Sequence, residues 1–227
     1  MRTFLYFVSQ STFTMDEMYR ERLKDLSEIR SMMENSSKFM SLSGLSGVAA
    51  GIVALVGAWV ASEFLEGQGV LDNFIILVND TYYIPEDTLL WKTMGLGVAI
   101  LLTAVLFATL FSVRMARKKN LPLWNRTAER LLINMMIPLG VGAVFCFQLA
   151  RFGFVGMVAP ATLVFYGLAL LNAGKYTLRE IRYLGLCEIG LGLIAGFMVG
   201  YGLIFWVLGF GVLHIIYGVV MYLKYER

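Results

Sequence analysis

The sequence predicts an all-α membrane protein, built as a bundle of six transmembrane helices with an amphipathic N-terminal cytoplasmic helix. The first observation is composition: the 227 residues are 58% hydrophobic and only 15% charged, whereas a soluble domain carries about 25% charged residues. The second is that six separate windows reach the length of about 20 apolar residues that a spanning helix needs. The third is that the positive charges gather on one side of those windows.

The six apolar windows define the predicted spans. We expect a transmembrane domain of residues 40–227, with spans at 41–62, 93–113, 131–150, 154–173, 182–202 and 203–222. Spans three and four lie so close in sequence that they should form a hairpin. Spans five and six nearly abut, which requires a tight turn near residue 203. A long outer loop at 66–90 joins spans one and two, and its charges are all acidic.

The positive charges orient the predicted bundle. Seventeen of the 19 lysines and arginines lie in the N-terminal segment, in the loops after spans two and four, or in the C-terminal tail. Only Lys92 and Arg151 lie at the opposite ends of the spans. The positive-inside rule then puts both termini in the cytoplasm, and an even number of spans requires the same. We expect a multi-pass protein of the bacterial inner (plasma) membrane.

Residues 1–39 are predicted to form a cytoplasmic helical arm. Thr14 to Glu17 has the capping-box pattern that begins a helix, and no glycine or proline interrupts the rest of the arm. An apolar stripe, broken by Arg30, follows at spacings of four and three: Tyr19, Leu23, Leu26 and Met33. Two interpretations stay open: a solvated helix that leads into span one, or a helix that docks a partner. Met15 is as good a start residue as Met1.

Small residues mark the predicted helix-packing surfaces, because lipid removes most of the hydrophobic drive between helices and close backbone contact replaces it. The helix-packing residues are Gly47 and Gly51 in span one and Gly192, Gly196 and Gly200 in span five. A glycine-lined path for a substrate is the alternative. Pro138 and Pro160 fall in adjacent spans, where each frees a backbone carbonyl and bends its helix.

Glu188 lies inside the fifth apolar window. A carboxyl group in lipid is costly and usually has a function or a partner. The TLRE pattern at 177–180 has the capping-box form and predicts a helix that starts near Leu178. Glu188 is then about 15 Å along that helix, a turn or two below the inner interface.

Three further polar residues fall near the same depth if spans five and six turn near residue 203. Tyr217 then comes within hydrogen-bonding reach of Glu188, His214 lies about 6 Å from it in depth, and Asn134 of span three can join the same layer. We hypothesise a proton-titrating intramembrane polar cluster of Glu188, His214, Tyr217 and Asn134. The alternative is a single interhelical hydrogen bond that fixes the packing.

Sequence motifs for catalysis and for metal binding are missing. The chain has no GxxxxGK[ST] phosphate loop, no HExxH and no GxSxG, and its one histidine cannot supply a two-histidine metal or haem site. Cys146 and Cys187 show no paired spacing, and the basic residues form no separate domain. We therefore expect no catalytic residues, no metal, no cofactor, no nucleic acid partner and no enzyme activity.

The first function that the sequence suggests is non-enzymatic. A membrane-embedded bundle would be coupled to a cytoplasmic or membrane partner through the arm and the basic loops, in an interaction or regulatory role. The rival is a small-solute or proton-coupled transporter that uses Glu188 and His214 between spans five and six. Six short helices leave little room for a central site, an objection that a homodimer would remove. The expected partners are the lipid bilayer, a protein at the arm and, in that last case, a second copy of the chain.

Overall fold

The computed structural model describes residues 20, 22–26, 43–67, 87–119 and 124–227, and every regular element in those ranges is helical. The chain divides into two compact units, Met1–Lys38 and Phe39–Arg227. In the first unit, residues 22–26 are helical and expose Leu23 and Leu26. Tyr19 and Met33 of the predicted apolar stripe, and residues 68–86 of the predicted outer loop, lie outside the described residues.

The α-helices described in the second unit are numbered here in chain order. They are α1 (Gly44–Gly67), α2 (Asp87–Lys118), α3 (Arg126–Arg151), α4 (Val158–Ala173), α5 (Arg179–Phe197), α6 (Gly202–Trp206) and α7 (His214–Tyr225). A 3₁₀ turn, Val155–Met157, precedes α4, and a π-helix, Val207–Leu213, joins α6 to α7. Residues 202–225 therefore form one continuous helical stretch, which we call the terminal segment.

Five of the described helices are long and apolar enough to cross a membrane. They are Gly44–Glu63, Trp91–Lys118, Arg126–Arg151, Val155–Ala173 and Gly202–Tyr225. These five correspond to predicted spans one to four and six, so the protein is an α-helical membrane protein. The predicted fifth span corresponds to α5, which is not among the five. Its 19 residues carry four charged side chains: Arg179, Glu180, Arg182 and Glu188.

The turns that end α3 and α5 depend on glycine. Gly153 has φ 85° and Gly200 has φ 103°, and both values fall in the left-handed region that glycine adopts without steric cost. The turn after α5 occupies residues 198–201, a few residues earlier than the turn predicted near residue 203. The start of α5 is close to the prediction, because Leu178 is its N-cap residue and the helix begins at Arg179.

Helices α4 and α5 form an antiparallel pair with close backbone contact. A β-carbon on Gly185 would lie 2.7 Å from the Gly167 carbonyl oxygen, and one on Gly192 would lie 2.9 Å from the Pro160 carbonyl oxygen. Gly185 therefore faces Gly167 near one end of the pair, and Gly192 faces Pro160 near the other. The two helices are therefore antiparallel, because the residue number on α4 decreases as the residue number of its partner on α5 increases.

Helix α1 packs in the same way against the terminal segment. A β-carbon on Gly51 would lie 2.7 Å from the Gly211 carbonyl oxygen, and one on Gly47 would lie 3.1 Å from the Gly218 Cα. The predicted packing residues Gly47, Gly51 and Gly192 thus lie where helix backbones come close together. The terminal segment also contacts α4 and α5, so it lies between α1 and the α4–α5 pair.

The other two predicted packing glycines differ. A β-carbon on Gly196 would meet only the end of the Met157 side chain, 3.8 Å away. Gly200 lies in the turn, because α5 ends at Phe197. Gly200 therefore allows the chain to reverse direction and does not belong to the packing surface of α5.

Three C-terminal residues, Lys224, Tyr225 and Glu226, tie the terminal segment to neighbouring helices; we call them the C-terminal clamp. Glu226 accepts hydrogen bonds from the Gly44 backbone N–H and, at 3.3 Å, from Ser43 Oγ at the start of α1. Lys224 and Tyr225 both donate to Glu180 Oε1, Tyr225 over 3.0 Å. Burial alone would raise the pKa of Glu180, but these hydrogen bonds and one from its own backbone hold that pKa below its usual range.

The close backbone contact between α1 and the terminal segment, here called the glycine seam, predicts that one added methyl group at Gly218 lowers the stability of the fold. In Gly218→Ala the β-carbon would lie 2.5 Å from the Val48 backbone nitrogen and 2.6 Å from the Gly44 carbonyl oxygen. Because the backbones must move apart, we expect a lower thermal midpoint of the full chain in mild detergent, from an overpacking cost of about 1–3 kcal/mol. The measurement is unfolding followed by circular dichroism.

The matched control is Gly140→Ala in α3, where an added β-carbon meets nothing within 4 Å. This variant should be as stable as the wild type or more so, because alanine favours a helix. Equal midpoints for Gly218→Ala and the wild type would contradict the importance of the seam.

Candidate functional site

Glu188 is fully buried at the middle of α5. It is the tenth of the 19 residues in that helix, and its exposed fraction is 0%. Neither carboxyl oxygen has a hydrogen-bond partner in the described part of the chain. A buried polar group without a hydrogen bond costs free energy, and a charged one costs more. The burial of Glu188 is therefore expected to lower the stability of the bundle.

His214 lies beside Glu188 and has both ring nitrogens occupied. Its Nδ1 is 3.0 Å from the Gly209 carbonyl oxygen and its Nε2 is 2.8 Å from the Tyr166 hydroxyl oxygen. A carbonyl oxygen can only accept, so Nδ1 carries a proton and donates it to Gly209. In the neutral ring, Nε2 then accepts from the Tyr166 hydroxyl. The same Nδ1 is 3.4 Å from Glu188 Oε1.

Gly209 makes room for the Glu188 carboxyl group. A β-carbon at position 209 would collide with Glu188 Oε2 and would lie 2.5 Å from Leu163 Cδ2. Gly209 also belongs to the π-helix, whose wider turn precedes His214. Single π-helical turns inside α-helices are frequently found at functional sites. The backbone of the terminal segment thus shapes the site from one side while α4 and α5 enclose it from the other.

Tyr166 of α4 is a site residue that the sequence did not reveal. Its ring centroid lies 5.0 Å from that of Phe210 and 5.4 Å from that of His214. Phe210 also contacts Trp206, with ring centroids 5.0 Å apart. The sequence does contain a signal for this aromatic row, because residues four apart share one face of a helix. That spacing joins Trp206, Phe210 and His214. No pattern in the sequence linked that row to α4.

Tyr217 does not join Glu188. Its hydroxyl has no hydrogen-bond partner among the described residues, and its ring packs against Leu170, Ile181 and Leu184. The predicted depth was wrong because the reversal occurs at 198–201 instead of near residue 203. Glu188 is therefore level with residues 209–214 of the terminal segment, not with Gly218.

Asn134 is also separate from Glu188. Its Nδ2 donates to the Arg130 carbonyl oxygen at 2.8 Å and lies 3.4 Å from the Tyr176 hydroxyl oxygen. Tyr176 belongs to the turn that precedes α5. Asn134 thus faces the end of the bundle where α5 begins. Of the four residues in the predicted cluster, the structure brings together Glu188 and His214.

The arrangement can hold protons in more than one way. A second proton on the imidazole would bind at Nε2, so the Tyr166 hydroxyl would have to turn from donor to acceptor. The imidazolium would then lie within ion-pair distance of Glu188 Oε1. Glu188 and His214 can therefore each bind a proton, and the tyrosine hydroxyl reverses its hydrogen bond when the imidazole does so.

Comparison with known proteins adds no assignment to this geometry. No protein-family model matches the chain, and neither curated proteins nor solved structures give a match. In the ranges that the structure describes, no three His, Cys, Asp or Glu side chains lie close enough to hold one metal ion.

The hydrogen bonds of the site predict that Glu188 lowers the stability of the fold. In Glu188→Met an apolar side chain of similar length replaces a carboxyl group that accepts no hydrogen bond, while His214 keeps both of its partners. We expect a higher thermal midpoint in mild detergent, since burying a polar group without a hydrogen bond costs about 1–3 kcal/mol. Circular dichroism of the purified full chain is the measurement.

The control is Glu129→Met, which alters an exposed carboxylate on α3 and should leave the midpoint nearly unchanged. A clear fall in the midpoint of Glu188→Met would indicate that the carboxyl group holds the helices together, and would contradict the expectation.

Proposed function

We propose that this chain is a six-span membrane protein that moves a small solute together with protons, with Glu188 as the proton-binding carboxyl. The observation that carries the proposal is the fully buried Glu188 carboxyl, without a hydrogen-bond partner in the described residues and 3.4 Å from His214 Nδ1. Ionisable groups within spanning helices mark proton relays and ion pathways. A carboxyl group that served packing alone would be expected to form hydrogen bonds.

The neighbours of α5 support six spans rather than five. Its 19 residues are about 28 Å long, close to the roughly 30 Å thickness of a bilayer's hydrocarbon core. It runs antiparallel to α4, and Glu180 near its start bonds to Lys224 and Tyr225 at the end of the terminal segment. Because α5 lies alongside two candidate spans, we infer that it crosses the same layer.

We further propose that both termini are cytoplasmic and that the membrane is a bacterial inner membrane. Seventeen of the 19 lysines and arginines fall in the N-terminal segment, in the loops after spans two and four, or in the C-terminal tail, and positive charges favour the cytoplasmic face. With six spans the two termini lie on one side, so the span count and the charge distribution agree.

In the proposed cycle, Glu188 and His214 change their protonation while the bundle moves the solute. A proton on Glu188 removes the free-energy cost of a buried carboxylate. Release of that proton restores a charge that the surrounding apolar side chains disfavour, and a second proton on His214 adds a positive charge beside it. Each state therefore favours a different packing around the terminal segment, and such a difference is what couples proton binding to a conformational change.

The proposal predicts that proton binding and proton-linked transport depend on Glu188. In lipid vesicles, infrared spectra of the wild type across a range of pH should contain a carboxyl titration that Glu188→Gln lacks and that His214→Gln displaces along the pH axis. In proteoliposomes with an internal pH-sensitive dye, pools of small solutes should produce solute-dependent proton movement with the wild type and little with Glu188→Gln.

Glu129→Gln is the control, because it removes an exposed carboxylate and should behave as the wild type in both measurements. Solute-dependent proton movement of equal size in Glu188→Gln and the wild type would contradict the role of Glu188. An infrared carboxyl titration that persists unchanged in Glu188→Gln would also contradict the role of Glu188, and this test does not require the solute to be known.

A second candidate function is the coupling of the bundle to a cytoplasmic partner through the arm. The observation in its favour is that Leu23 and Leu26 expose 51% and 62% of their surface on a described helical stretch. Residues three apart share one face of a helix, and such a face suits the groove of a partner protein.

The arm proposal predicts that capture of a partner depends on these two leucines. Crosslinking and gentle purification from the native membrane should recover one defined protein with the full chain, and less of it with Leu23→Gln plus Leu26→Gln or with residues 1–35 removed. The control is Arg22→Gln plus Asp25→Asn, which alters exposed neighbours and should not reduce recovery. Equal recovery with every variant would exclude docking through this face.

A further inference from the structure

A groove of about 510 Å³ runs between α3 and α4, and most of its lining is apolar. Pro138 and Val141 of α3 line one side, and Phe165 and Leu168 of α4 line the other. Val141 exposes 57% of its surface and Leu168 exposes 41%. Both helices are candidate membrane spans, so we expect lipid to reach these exposed apolar side chains.

One end of the groove is polar and positively charged. Asn172, Lys175 and Arg182 line it there. Lys175 Nζ donates to Asn172 Oδ1 at 3.0 Å, which leaves two of its three N–H groups for another acceptor. Neither cation forms an ion pair with an acid in the described ranges. Lys224, by contrast, is paired with Glu180.

The distribution of charge along the groove matches an anionic phospholipid. We propose that this groove binds one such lipid, with its phosphate at Lys175 and Arg182 and an acyl chain along the apolar lining between α3 and α4. From Leu171 to Phe165 the lining extends over about 9 Å at the helical rise, long enough for part of an acyl chain. Basic pockets between spanning helices are known to bind anionic head groups.

The apolar lining distinguishes a lipid from a free phosphate ion. A phosphate ion needs only the cations, whereas here five apolar side chains line the rest of the groove. Covering these side chains with an acyl chain fills the groove while the phosphate remains in reach of Asn172 and both cations. This inference does not depend on the proposed transport function, because none of its residues belongs to the Glu188 site.

Native mass spectrometry of the full chain in a neutral detergent tests the lipid site. The probes are phosphatidylglycerol, phosphatidylcholine with the same acyl chains, and inorganic phosphate. We expect the wild type to prefer phosphatidylglycerol over phosphatidylcholine. Lys175→Gln plus Arg182→Gln should weaken phosphatidylglycerol binding about tenfold or more, since each cation near a membrane surface contributes substantially to the attraction of anionic lipid. Leu168→Trp, which fills the groove, should weaken the binding of both lipids.

Arg114→Gln plus Lys118→Gln is the matched control, because it removes the same charge from two exposed cations on α2. Its phosphatidylglycerol affinity should stay that of the wild type. The proposal is overturned if the Lys175 and Arg182 variant binds as the wild type does, or if the control loses affinity equally. Inorganic phosphate that competes as well as the lipid would overturn the acyl-chain part, and Leu168→Trp with unchanged affinity would do so too.

Discussion

The close approach of helix backbones at glycine is the constraint on which the rest of the bundle depends. A β-carbon on Gly51 of α1 would lie 2.7 Å from the Gly211 carbonyl oxygen, and one on Gly218 would lie 2.5 Å from the Val48 backbone nitrogen, so a side chain at either position would press the backbones of α1 and the terminal segment apart. On its opposite side the same segment presents Gly209 to the Glu188 carboxyl. Because lipid offers little hydrophobic drive between helices, these contacts supply the cohesion. They also decide which side chains can share the space around Glu188.

The π-helix links this packing to the chemistry of the site. It contains Gly209, whose carbonyl oxygen accepts the His214 Nδ1 proton. That hydrogen bond orients the imidazole, so its other nitrogen reaches the Tyr166 hydroxyl on α4. Tyr166 is thereby bound to the terminal segment across the helix interface. A change in the protonation of His214 would alter a contact between two helices, which is how a local charge can influence packing over a wider region.

The sequence was informative where a physical signal is repeated over many residues. Five spans could be predicted because about 20 apolar residues between charged ends form a strong pattern. The short connection between α5 and the terminal segment was enough to predict that Glu188 and His214 lie near each other. It was not enough to predict which residues of the two helices lie at the same level. That register depends on the turn at Gly200 and on the π-helix, and neither has a periodic signal. Tyr166 is 48 residues from His214, so only the packing of α4 could bring it to the site.

Glu188 differs from its polar neighbours because they form hydrogen bonds and its carboxyl group forms none among the described residues. His214 uses both nitrogens, and the Gly209 carbonyl and the Tyr166 hydroxyl are each engaged. An apolar residue would fill the same space without the desolvation cost of a carboxyl group, so packing alone gives no reason for a glutamate. The C-terminal clamp meanwhile holds the far end of the terminal segment to α1 and α5. A movement that relieves Glu188 while those bonds persist would have to occur toward the opposite end, where the turn at residues 198–201 contains the left-handed Gly200.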